Sequence, residues 1–304
     1  MEEPILLSGS ANRPLAKKVA EELGIKLGDV LLQKFSDGET YLNIREQLAG
    51  KQVFIIQSGS LPANENLMEM LLLIDAAWRL EPKKIVAVFP FLPYRRQERQ
   101  MKPGEPISAQ LVADLVETAG ADKAIILDVH SRQILNFFDI PVTQISATEK
   151  IAIYFKGLIR DDSWVLVAPD QGSLWHTENA ADVFAIPIVQ ILKERTKHDR
   201  VAQMQLVGEI KNKNVILIDD EVNTAGTLVE AVSLLKREGA ANIYFGCTHG
   251  VLSGPAIDRL TNAPIKEIVV TDSIAQPKEK ITKKIKIITV ADILAEAIKQ
   301  ELVL

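Results

Sequence analysis

The chain has 304 residues, of which 47% are hydrophobic and 25% charged, a composition ordinary for a soluble globular protein with two domains. Its net charge of −5 argues against a broad nucleic-acid-binding face, because neutralising many phosphates requires clustered cations. The single cysteine, Cys247, excludes an internal disulfide. The acidic N-terminus lacks the basic and apolar regions of a signal peptide. The apolar segment 67–80 is too short to span a bilayer. We therefore expect a cytoplasmic protein with no membrane or nucleic-acid partner.

Short apolar runs alternate along the chain with longer segments of helical periodicity. The predicted strands are 5–7, 53–56, 85–91, 124–127, 165–167, 215–218, 243–246 and 268–270. The predicted helices are 13–23, 64–79, 108–118, 148–155, 228–237 and 291–301. Between residues 31 and 56 no helix is predicted, so part of that stretch is expected to be a hairpin or flap.

This alternation is typical of βαβ units with a mainly parallel sheet flanked by helices. The pattern runs twice, since the apolar strand and acid at 125–128 resemble those at 216–220. We therefore predict an α/β protein with two tandem domains, residues 1–145 and 146–304, and a cleft between them. The boundary is expected within 141–147.

In the first half, polar residues suited to ligand binding follow the predicted strands. Residues 35–39 have a turn-like Ser-Asp-Gly centre, which is also consistent with a simple hairpin. The basic run 94–102 offers guanidinium groups that match phosphate oxygens and stack on purines, although a solvated loop explains it equally well. His130 follows another strand, where a neutral imidazole binds a divalent ion or a phosphate. An isolated histidine is more often structural.

Two segments of the second half repeat this chemistry. Asp170 is predicted at the carboxyl end of a strand, with Gly172 and Ser173 forming an anion-binding turn, and an ordinary turn is the alternative. Lys193 and Arg195 precede a polar run, and a mobile loop carrying them is suited to close over a transferring phosphoryl group. A solvated surface loop is the simpler interpretation of that run.

The segment 215–227 is the most informative one in the chain. Four apolar residues run into Asp219 and Asp220, and the small residues 224–227 then precede a predicted helix. Ligands bind parallel sheets at the carboxyl ends of strands, and backbone N–H groups at the start of a helix bind anions. Because carboxylates accept hydrogen bonds from sugar hydroxyls, the segment predicts a sugar-phosphate site. The alternative is a strand that ends in solvated acids, with Thr224 serving only as a helix cap.

The chain contains neither a P-loop nor a dinucleotide-binding fingerprint. Its motifs resemble, in order and over nearly the whole chain, those of the ribose-phosphate pyrophosphokinase (phosphoribosyl pyrophosphate synthetase) family. The segments that carry the resemblance are 8–15, 35–39, 64–69, 94–99, 127–130, 137–141, 169–170, 219–227 and 248–256. The family has two phosphoribosyltransferase-like domains in tandem, in agreement with the doubled pattern.

The resemblance implies transfer of the β,γ-diphosphoryl group of ATP to the 1-hydroxyl of ribose 5-phosphate. The products would be 5-phosphoribosyl 1-diphosphate and AMP, for nucleotide biosynthesis. It also implies Mg²⁺ as cofactor and a homo-oligomer whose ATP sites are shared between subunits. Phosphoryl transfer of this kind depends on positioning and charge stabilisation more than on covalent chemistry.

The same resemblance assigns roles to residues of this chain. Ribose 5-phosphate would be bound by Asp219, Asp220, Asn223, Thr224, Ala225, Gly226 and Thr227. ATP would be bound by Phe35, Asp37 and Glu39 of a flap and by Arg96, Gln97 and Arg99 of the basic run. The catalytic cations would be Lys193 and Arg195 of a flexible loop. The metal ion would be held by His130 and Asp170, and the diphosphate loop would comprise Asp170, Gln171, Gly172 and Ser173.

At several of these positions the sequence departs from the family pattern. Asn223 stands where the usual loop has an aspartate, and Gln171, Ser173 and His176 differ from the usual diphosphate-binding segment. These changes leave open a catalytically weak or inactive homologue that regulates a true synthetase. A phosphoribosyltransferase would share the loop at 224–227 but would need neither a tandem domain nor an ATP flap.

Overall fold

The computed structural model of the chain describes residues 3–169, 174–194 and 203–303. Packing of the α-carbons divides it into two compact units. The first comprises the residues up to Ile145, Ser273–Ala275 and the residues from Thr289 onward, and the second comprises Ser146–Asp272 and Gln276–Ile288. Each unit contains a mainly parallel sheet, as the sequence predicted for an α/β fold.

The first unit alternates strands and helices along most of its length. Its strands are β1 (Ile5–Ser8), β2 (Val30–Lys34), β3 (Thr40–Ile44), β4 (Gln52–Ile56), β5 (Lys84–Phe89), β6 (Lys123–Leu127) and β7 (Val142–Ile145). Its helices are α1 (Arg13–Leu23), α2 (Ala63–Trp78), α3 (Ser108–Thr118), the 3-10 turn Arg132–Phe137 and α8 (Ala291–Val303), the last helix of the chain.

Five of these strands form a parallel sheet in the order β1-β4-β5-β6-β7. The central strands β4, β5 and β6 are buried at every position after the first, which explains why they are continuous apolar runs in the sequence. Parallel strands end at the same edge of a sheet. The segments that follow β5 and β6 are therefore neighbours at the edge where α/β folds bind ligands.

Strands β2 and β3 form a separate antiparallel hairpin, which confirms the hairpin predicted between residues 31 and 56. The connecting turn is closed by the Phe35 amide, which donates to the Glu39 carbonyl at 2.8 Å. Gly38 occupies a left-handed conformation with φ of 92°, where a residue with a side chain would be strained. The turn residues 35–39 are all exposed.

Helix α8 packs with the first unit, whereas the sequence prediction placed residues 146–304 together in a C-terminal domain. Helix α8 packs chiefly against α1, and a buried carboxylate adds a polar link to the sheet. Glu301 is 4% exposed and lies 2.5 Å from the Lys123 ammonium and 3.3 Å from that of Lys84, and it accepts a hydrogen bond from Thr143 at 3.3 Å. These partners belong to β5, β6 and β7. Glu301 therefore fixes the last helix to the first sheet.

The second unit has a seven-stranded sheet. Its strands are β8 (Trp164–Ala168), β9 (Ile188–Glu194), β10 (Gln203–Val207), β11 (Asn214–Val222), β12 (Asn242–Gly250), β13 (Glu267–Thr271) and β14 (Ile285–Ile288). Its helices are α4 (Thr148–Lys156), α5 (Leu174–Phe184), α6 (Gly226–Arg237), α7 (Ala256–Asn262) and the 3-10 turn Lys278–Lys280. The strand order is β10-β9-β8-β11-β12-β13-β14, and all neighbours are parallel except β9 and β10.

Several predicted elements differ from the structure. Residues 142–145 were expected to lie at a turn between domains, but they form β7 because they pair with β6. The predicted strands 215–218 and 243–246 extend to Val222 and Gly250. Strands β9, β10 and β14 and helices α5 and α7 had not been predicted. Among the described residues, no helix is both long and apolar enough to cross a membrane.

Candidate functional site

The candidate sugar-phosphate site of the second unit begins inside a strand. Asp219 and Asp220 were expected just after the strand's end, but β11 continues through Val222. The pairing of β11 with β8 stops at Leu217, whereas its pairing with β12 continues to Val222. Among the described strands, the acidic end of β11 is thus paired in a ladder with β12 and not with β8.

The strand geometry distributes the acidic side chains. Successive residues of a strand point to opposite faces, so Asp219 and Glu221 share one face and Asp220 lies on the other. Asp220 is 5% exposed, while Asp219 and Glu221 are half-buried. The Asp220 amide donates to the side chain of Asp219 at 2.9 Å, which orients that carboxylate. The two aspartates therefore have different environments and are not interchangeable.

The pKa of the Cys247 thiol reflects the negative charge of this region. Cys247 pairs with Asp219 across the β11–β12 ladder and is fully buried. Burial raises the pKa of its thiol well above the ordinary value, and the charges of Asp219, Asp220 and Glu221 raise that pKa further. Carboxylates such as these accept hydrogen bonds from hydroxyl donors.

The loop after β11 has the conformation of an anion cradle. Ala225 has a φ of 59°, in the left-handed region, and directly precedes α6, which begins at Gly226 rather than at the predicted 228. No side chain caps this helix, so the expected alternative in which Thr224 acts only as a cap is wrong. The N–H groups of the first helical turn have no intrahelical acceptor, and they lie at the positive end of the helix dipole. Such a helix start is suited to bind an anion such as a phosphate.

Asn223 is held by the segment that follows β12. Its side-chain oxygen accepts a hydrogen bond from the Ser253 hydroxyl, and its carbonyl accepts from the Ser253 amide at 3.0 Å. The amide nitrogen of Asn223, which is a donor, takes part in neither of these hydrogen bonds. An aspartate at this position would offer only acceptors. Ser253 lies within the predicted motif 248–256 but had not been singled out.

His176, one of the departures from the family pattern, has a structural role. It lies on α5, is 4% exposed, and its Nδ1 is 2.8 Å from the hydroxyl oxygen of Thr148 on α4. Its ring also contacts Trp175 edge to face at 4.7 Å. His176 is buried against a neighbouring helix, so packing accommodates this departure from the family pattern.

In the first unit, Arg95 connects the two predicted ligand-binding segments. It is 1% exposed, stacks 4.8 Å from the centre of the Phe91 ring, and donates to the Asp128 carbonyl at 2.9 Å. This contact joins the segment after β5 to the segment after β6. Arg96 and His130, which follow in these two segments, are exposed at the same edge of the sheet. Arg95 was not singled out from the sequence, because it is one of several basic residues in the run 94–102. Its spacing of four residues from Phe91 was the available signal.

The other residues predicted to bind ATP have mixed environments. Gln97 makes hydrogen bonds within the first unit: its side-chain oxygen accepts a hydrogen bond from the Ser108 hydroxyl, and its backbone carbonyl accepts one from the Ala109 amide at 3.2 Å. Arg99 is exposed. In the hairpin turn, Phe35 is 53% exposed and packs edge to face on Tyr41 at 5.6 Å.

Two further motifs of the first unit are joined by hydrogen bonds. The Ser10 hydroxyl donates to Glu69 at 2.7–2.8 Å, and Gln57 donates to the same carboxylate at 3.0 Å. Glu69 and Gln57 are 5% and 2% exposed. The segments 8–15 and 64–69 are therefore joined by a partly buried hydrogen-bond network at the carboxyl ends of β1 and β4.

Several predicted site residues lie outside the described part of the chain. These are Asp170, Gln171, Gly172, Ser173 and Arg195. Lys193 was expected in a loop, but its backbone lies in β9, opposite Met204 of β10. No group of three or more His, Cys, Asp or Glu side chains arranged to hold a metal ion occurs in residues 3–169, 174–194 and 203–303.

Comparison with known proteins identifies the family. The family model of the N-terminal domain of ribose phosphate pyrophosphokinase matches residues 4–120, and that of the phosphoribosyl synthetase-associated domain matches residues 181–302. The chain is 45% identical over 293 residues to the ribose-phosphate pyrophosphokinase of Bacillus caldolyticus, covering 96% of this chain and 93% of that protein. The chain belongs to the ribose-phosphate pyrophosphokinase family. The Fusobacterium nucleatum member is 43% identical over 294 residues, with the same coverage.

The fold of this ribose-phosphate pyrophosphokinase family member agrees with a solved structure. The crystal structure of phosphoribosylpyrophosphate synthetase from Mycobacterium smegmatis is 36% identical, covers 99% of each chain and superposes with a TM-score of 0.93. The likeness extends over both units. The resemblance inferred from the sequence motifs is therefore confirmed.

Proposed function

We propose that this chain transfers the diphosphoryl group of ATP to the 1-hydroxyl of ribose 5-phosphate, giving 5-phosphoribosyl 1-diphosphate and AMP. The observation that carries the proposal is the identity of 43–45% over 96% of the chain to proteins named ribose-phosphate pyrophosphokinase. A phosphoribosyltransferase is disfavoured because the likeness covers both units. The reaction requires three tasks, which are holding the sugar phosphate, holding the nucleotide and stabilising the transferred group.

Ribose 5-phosphate is assigned to the acidic strand end and the loop after it. The N–H groups of residues 225–227 receive the 5-phosphate, and the hydroxyls of Thr224 and Thr227 donate to its oxygens. Asp219 and Asp220 accept hydrogen bonds from ribose hydroxyls. Because Asn223 presents its amide nitrogen, it donates to an oxygen of the same ligand. The left-handed Ala225 and the uncapped start of α6 support this assignment.

ATP is assigned to the segment after β5 and to the hairpin turn. Arg96 and Arg99 pair with phosphate oxygens through their guanidinium forks, and Gln97 lies between them. The exposed ring of Phe35 is suited to stack on adenine, with Asp37 and Glu39 as hydrogen-bond acceptors. We further propose a homo-oligomer in which this turn serves the ATP site of a neighbouring subunit.

Charge stabilisation of the transferred group is assigned to Lys193 and Arg195, because phosphoryl transfer is accelerated by cations placed at the developing charge. The diphosphate loop comprises Asp170, Gln171, Gly172 and Ser173. We propose that His130 and Asp170 would hold Mg²⁺, as the family resemblance implies, with substrate phosphates supplying further oxygen ligands. When bound, Mg²⁺ neutralises phosphate charge.

One assay tests the proposal. Purified protein is incubated with ATP, Mg²⁺ and ribose 5-phosphate, and AMP is measured with and without the sugar phosphate. AMP that forms only with the sugar supports the proposal. Nucleotide binding without AMP would instead support a non-catalytic regulatory homologue, which the departure at Asn223 favours.

Lys193→Ala tests the catalytic assignment. We expect turnover to fall by roughly 10²- to 10³-fold with little change in ATP affinity, as for loss of one preorganised charge contact. Lys278→Ala is the matched control, because Lys278 is an exposed lysine of the same unit with no assigned role. Near-normal turnover of Lys193→Ala would remove this residue from the mechanism.

A further inference from the structure

The segment after β12 supports the phosphate loop from outside. The Leu252 amide donates to the Val222 carbonyl at 3.1 Å, so this segment runs alongside the end of β11. Further along, Arg259 donates from one terminal nitrogen to the Thr224 carbonyl at 2.9 Å. A charged donor makes a stronger hydrogen bond than a neutral one. Thr224 is therefore tied to a residue 35 positions later in the chain.

This hydrogen bond fixes the orientation of the peptide between Thr224 and Ala225. In a trans peptide the C=O and N–H groups point in opposite directions. With the carbonyl directed at Arg259, the Ala225 N–H points away from the guanidinium. Among the described residues this N–H has no acceptor, so it is available to an anion.

The same peptide is under conformational strain. The φ of 59° at Ala225 is unfavourable for a residue with a Cβ. A rotation of the peptide by half a turn would return Ala225 to negative φ, which removes the strain. It would also turn the Thr224 carbonyl to the side where the phosphate is expected, and a carbonyl oxygen repels an anion. Something must oppose that rotation.

Arg259 is placed to oppose rotation of the Thr224–Ala225 peptide. Its helix α7 is anchored by Ala256 and Leu260, which are 0% and 1% exposed, so the arginine projects from a fixed element. A Cβ built on Gly226 would lie 3.4 Å from the same terminal nitrogen of Arg259. The guanidinium thus lies beside the first residue of α6 and adds positive charge next to the helix start.

We propose that Arg259 is a positioning residue of the ribose 5-phosphate site, which holds the Thr224–Ala225 peptide with its N–H directed at the 5-phosphate. The inference rests on the proposed function, because it requires that this loop binds the sugar phosphate. Its effect is on binding of that substrate, and the nucleotide is bound elsewhere in the chain.

Arg259→Gln is the first test. We expect the KM for ribose 5-phosphate to rise about 10-fold, as for loss of one hydrogen bond from a charged group, while kcat and the KM for ATP change less than about twofold. Arg237→Gln is the matched control, because Arg237 is an exposed arginine at the opposite end of α6. Arg259→Lys should recover part of the affinity, since it keeps the charge but loses the fork geometry.

A second substitution distinguishes positioning from simple charge. Glycine adopts positive φ without strain, so Ala225→Gly removes the drive to rotate the peptide. We expect Ala225→Gly to restore part of the affinity that Arg259→Gln loses. If the double variant binds no better than Arg259→Gln alone, the positioning role is wrong and only the charge of Arg259 matters.

Calorimetric titration of ribose 5-phosphate keeps this test separate from catalysis. If the wild type binds the sugar phosphate but forms no AMP, the proposed reaction fails, and the titrations still decide the role of Arg259. Unchanged affinity in Arg259→Gln, or an equal loss in Arg237→Gln, would overturn the inference. A wild type that binds no ribose 5-phosphate would overturn it as well. Circular dichroism establishes folding, and Arg259→Lys is titrated in its place if Arg259→Gln does not fold.

Discussion

Replacing Glu301 with glutamine should weaken the attachment of the last helix to the first unit. Glu301 is 4% exposed and is the common partner of Lys123 and Lys84, whose side chains are 14% and 30% exposed. Glutamine keeps the shape and one acceptor but removes the charge. The substitution therefore leaves two lysine ammonium groups close together without their counter-charge, while helix propensity barely changes.

The size of the effect follows from this burial. Removing one partner of a buried ion pair costs about 3–5 kcal/mol. The cost is smaller here because Lys84 is partly exposed and regains hydration, so we expect about 2–3 kcal/mol. If α8 opens locally, its amides should exchange hydrogen about 30- to 160-fold faster, at 1.36 kcal/mol per factor of ten.

The stabilisation that Glu301 provides should depend on pH in a defined direction. Burial alone would raise the pKa of Glu301, but the hydrogen bonds and charges of Lys123 and Lys84 together hold it below its ordinary value. A carboxylate with a lowered pKa contributes stability above its unfolded pKa of about 4.3 and loses that contribution as pH falls through the folded pKa. The difference between wild type and Glu301→Gln should therefore be largest near neutral pH and should shrink in acid.

Hydrogen exchange measured by mass spectrometry on peptides of α8 is the assay. Glu296→Gln is the matched control, since Glu296 is an exposed glutamate on the same helix. The reasoning is refuted if both variants accelerate exchange in α8 equally. It is also refuted if the effect of Glu301→Gln on exchange does not diminish at a pH below the pKa that the Glu301 carboxyl has in the folded protein.

Two further predictions concern the second unit. Gly246→Ala should destabilise it by about 1–3 kcal/mol, because the new Cβ would overlap the side chain of Ile151 and lie 2.7 Å from Phe155, and urea unfolding followed by intrinsic tryptophan fluorescence measures this. Gly157→Ala, at a φ of −60°, is the milder control, because its Cβ would meet only the Tyr154 carbonyl oxygen, at 3.2 Å. Cys247 should resist iodoacetamide at pH 8 in the folded protein and react fully in urea, because burial and the neighbouring carboxylates raise its pKa; rapid labelling of the folded protein would mean that β11 and β12 open readily.

Local signals predicted some elements well. Helices α1 and α3 were predicted with the bounds that the structure has. For α1, the signals are Asn12, which accepts from the Leu15 amide at 3.3 Å, and Gly24, whose left-handed conformation ends the helix. Such caps act within a few residues, so they are visible in the sequence.

The strand ends were harder to predict because hydrophobic runs mark burial and not hydrogen bonding. Strand β11 was predicted to end at 218, since Asp219 is not apolar, yet the ladder to β12 continues for four residues beyond. Strands β10 and β14 lie at the two edges of their sheet and alternate polar with apolar residues, so no continuous run marked them.

Long-range contacts account for the remaining differences. Lys84 and Glu301 are 217 positions apart, and no local pattern assigns α8 to the first unit. The candidate site shows the same division. The residues proposed to bind ribose 5-phosphate form one local motif, 219–227, whereas Ser253 and Arg259 contact that motif from 30 and 35 positions away.

The charge distribution along the second-unit motif also restricts what it binds. Asp219, Asp220 and Glu221 are acidic and act together on Cys247, whereas the loop that follows them presents backbone N–H groups and the guanidinium of Arg259. A free phosphate would meet repulsion from the carboxylates, and a neutral sugar would leave the positive loop without a counter-charge. A ligand with hydroxyl donors at one end and a phosphate at the other satisfies both parts. The polarity of the motif thus favours a sugar phosphate over either component alone.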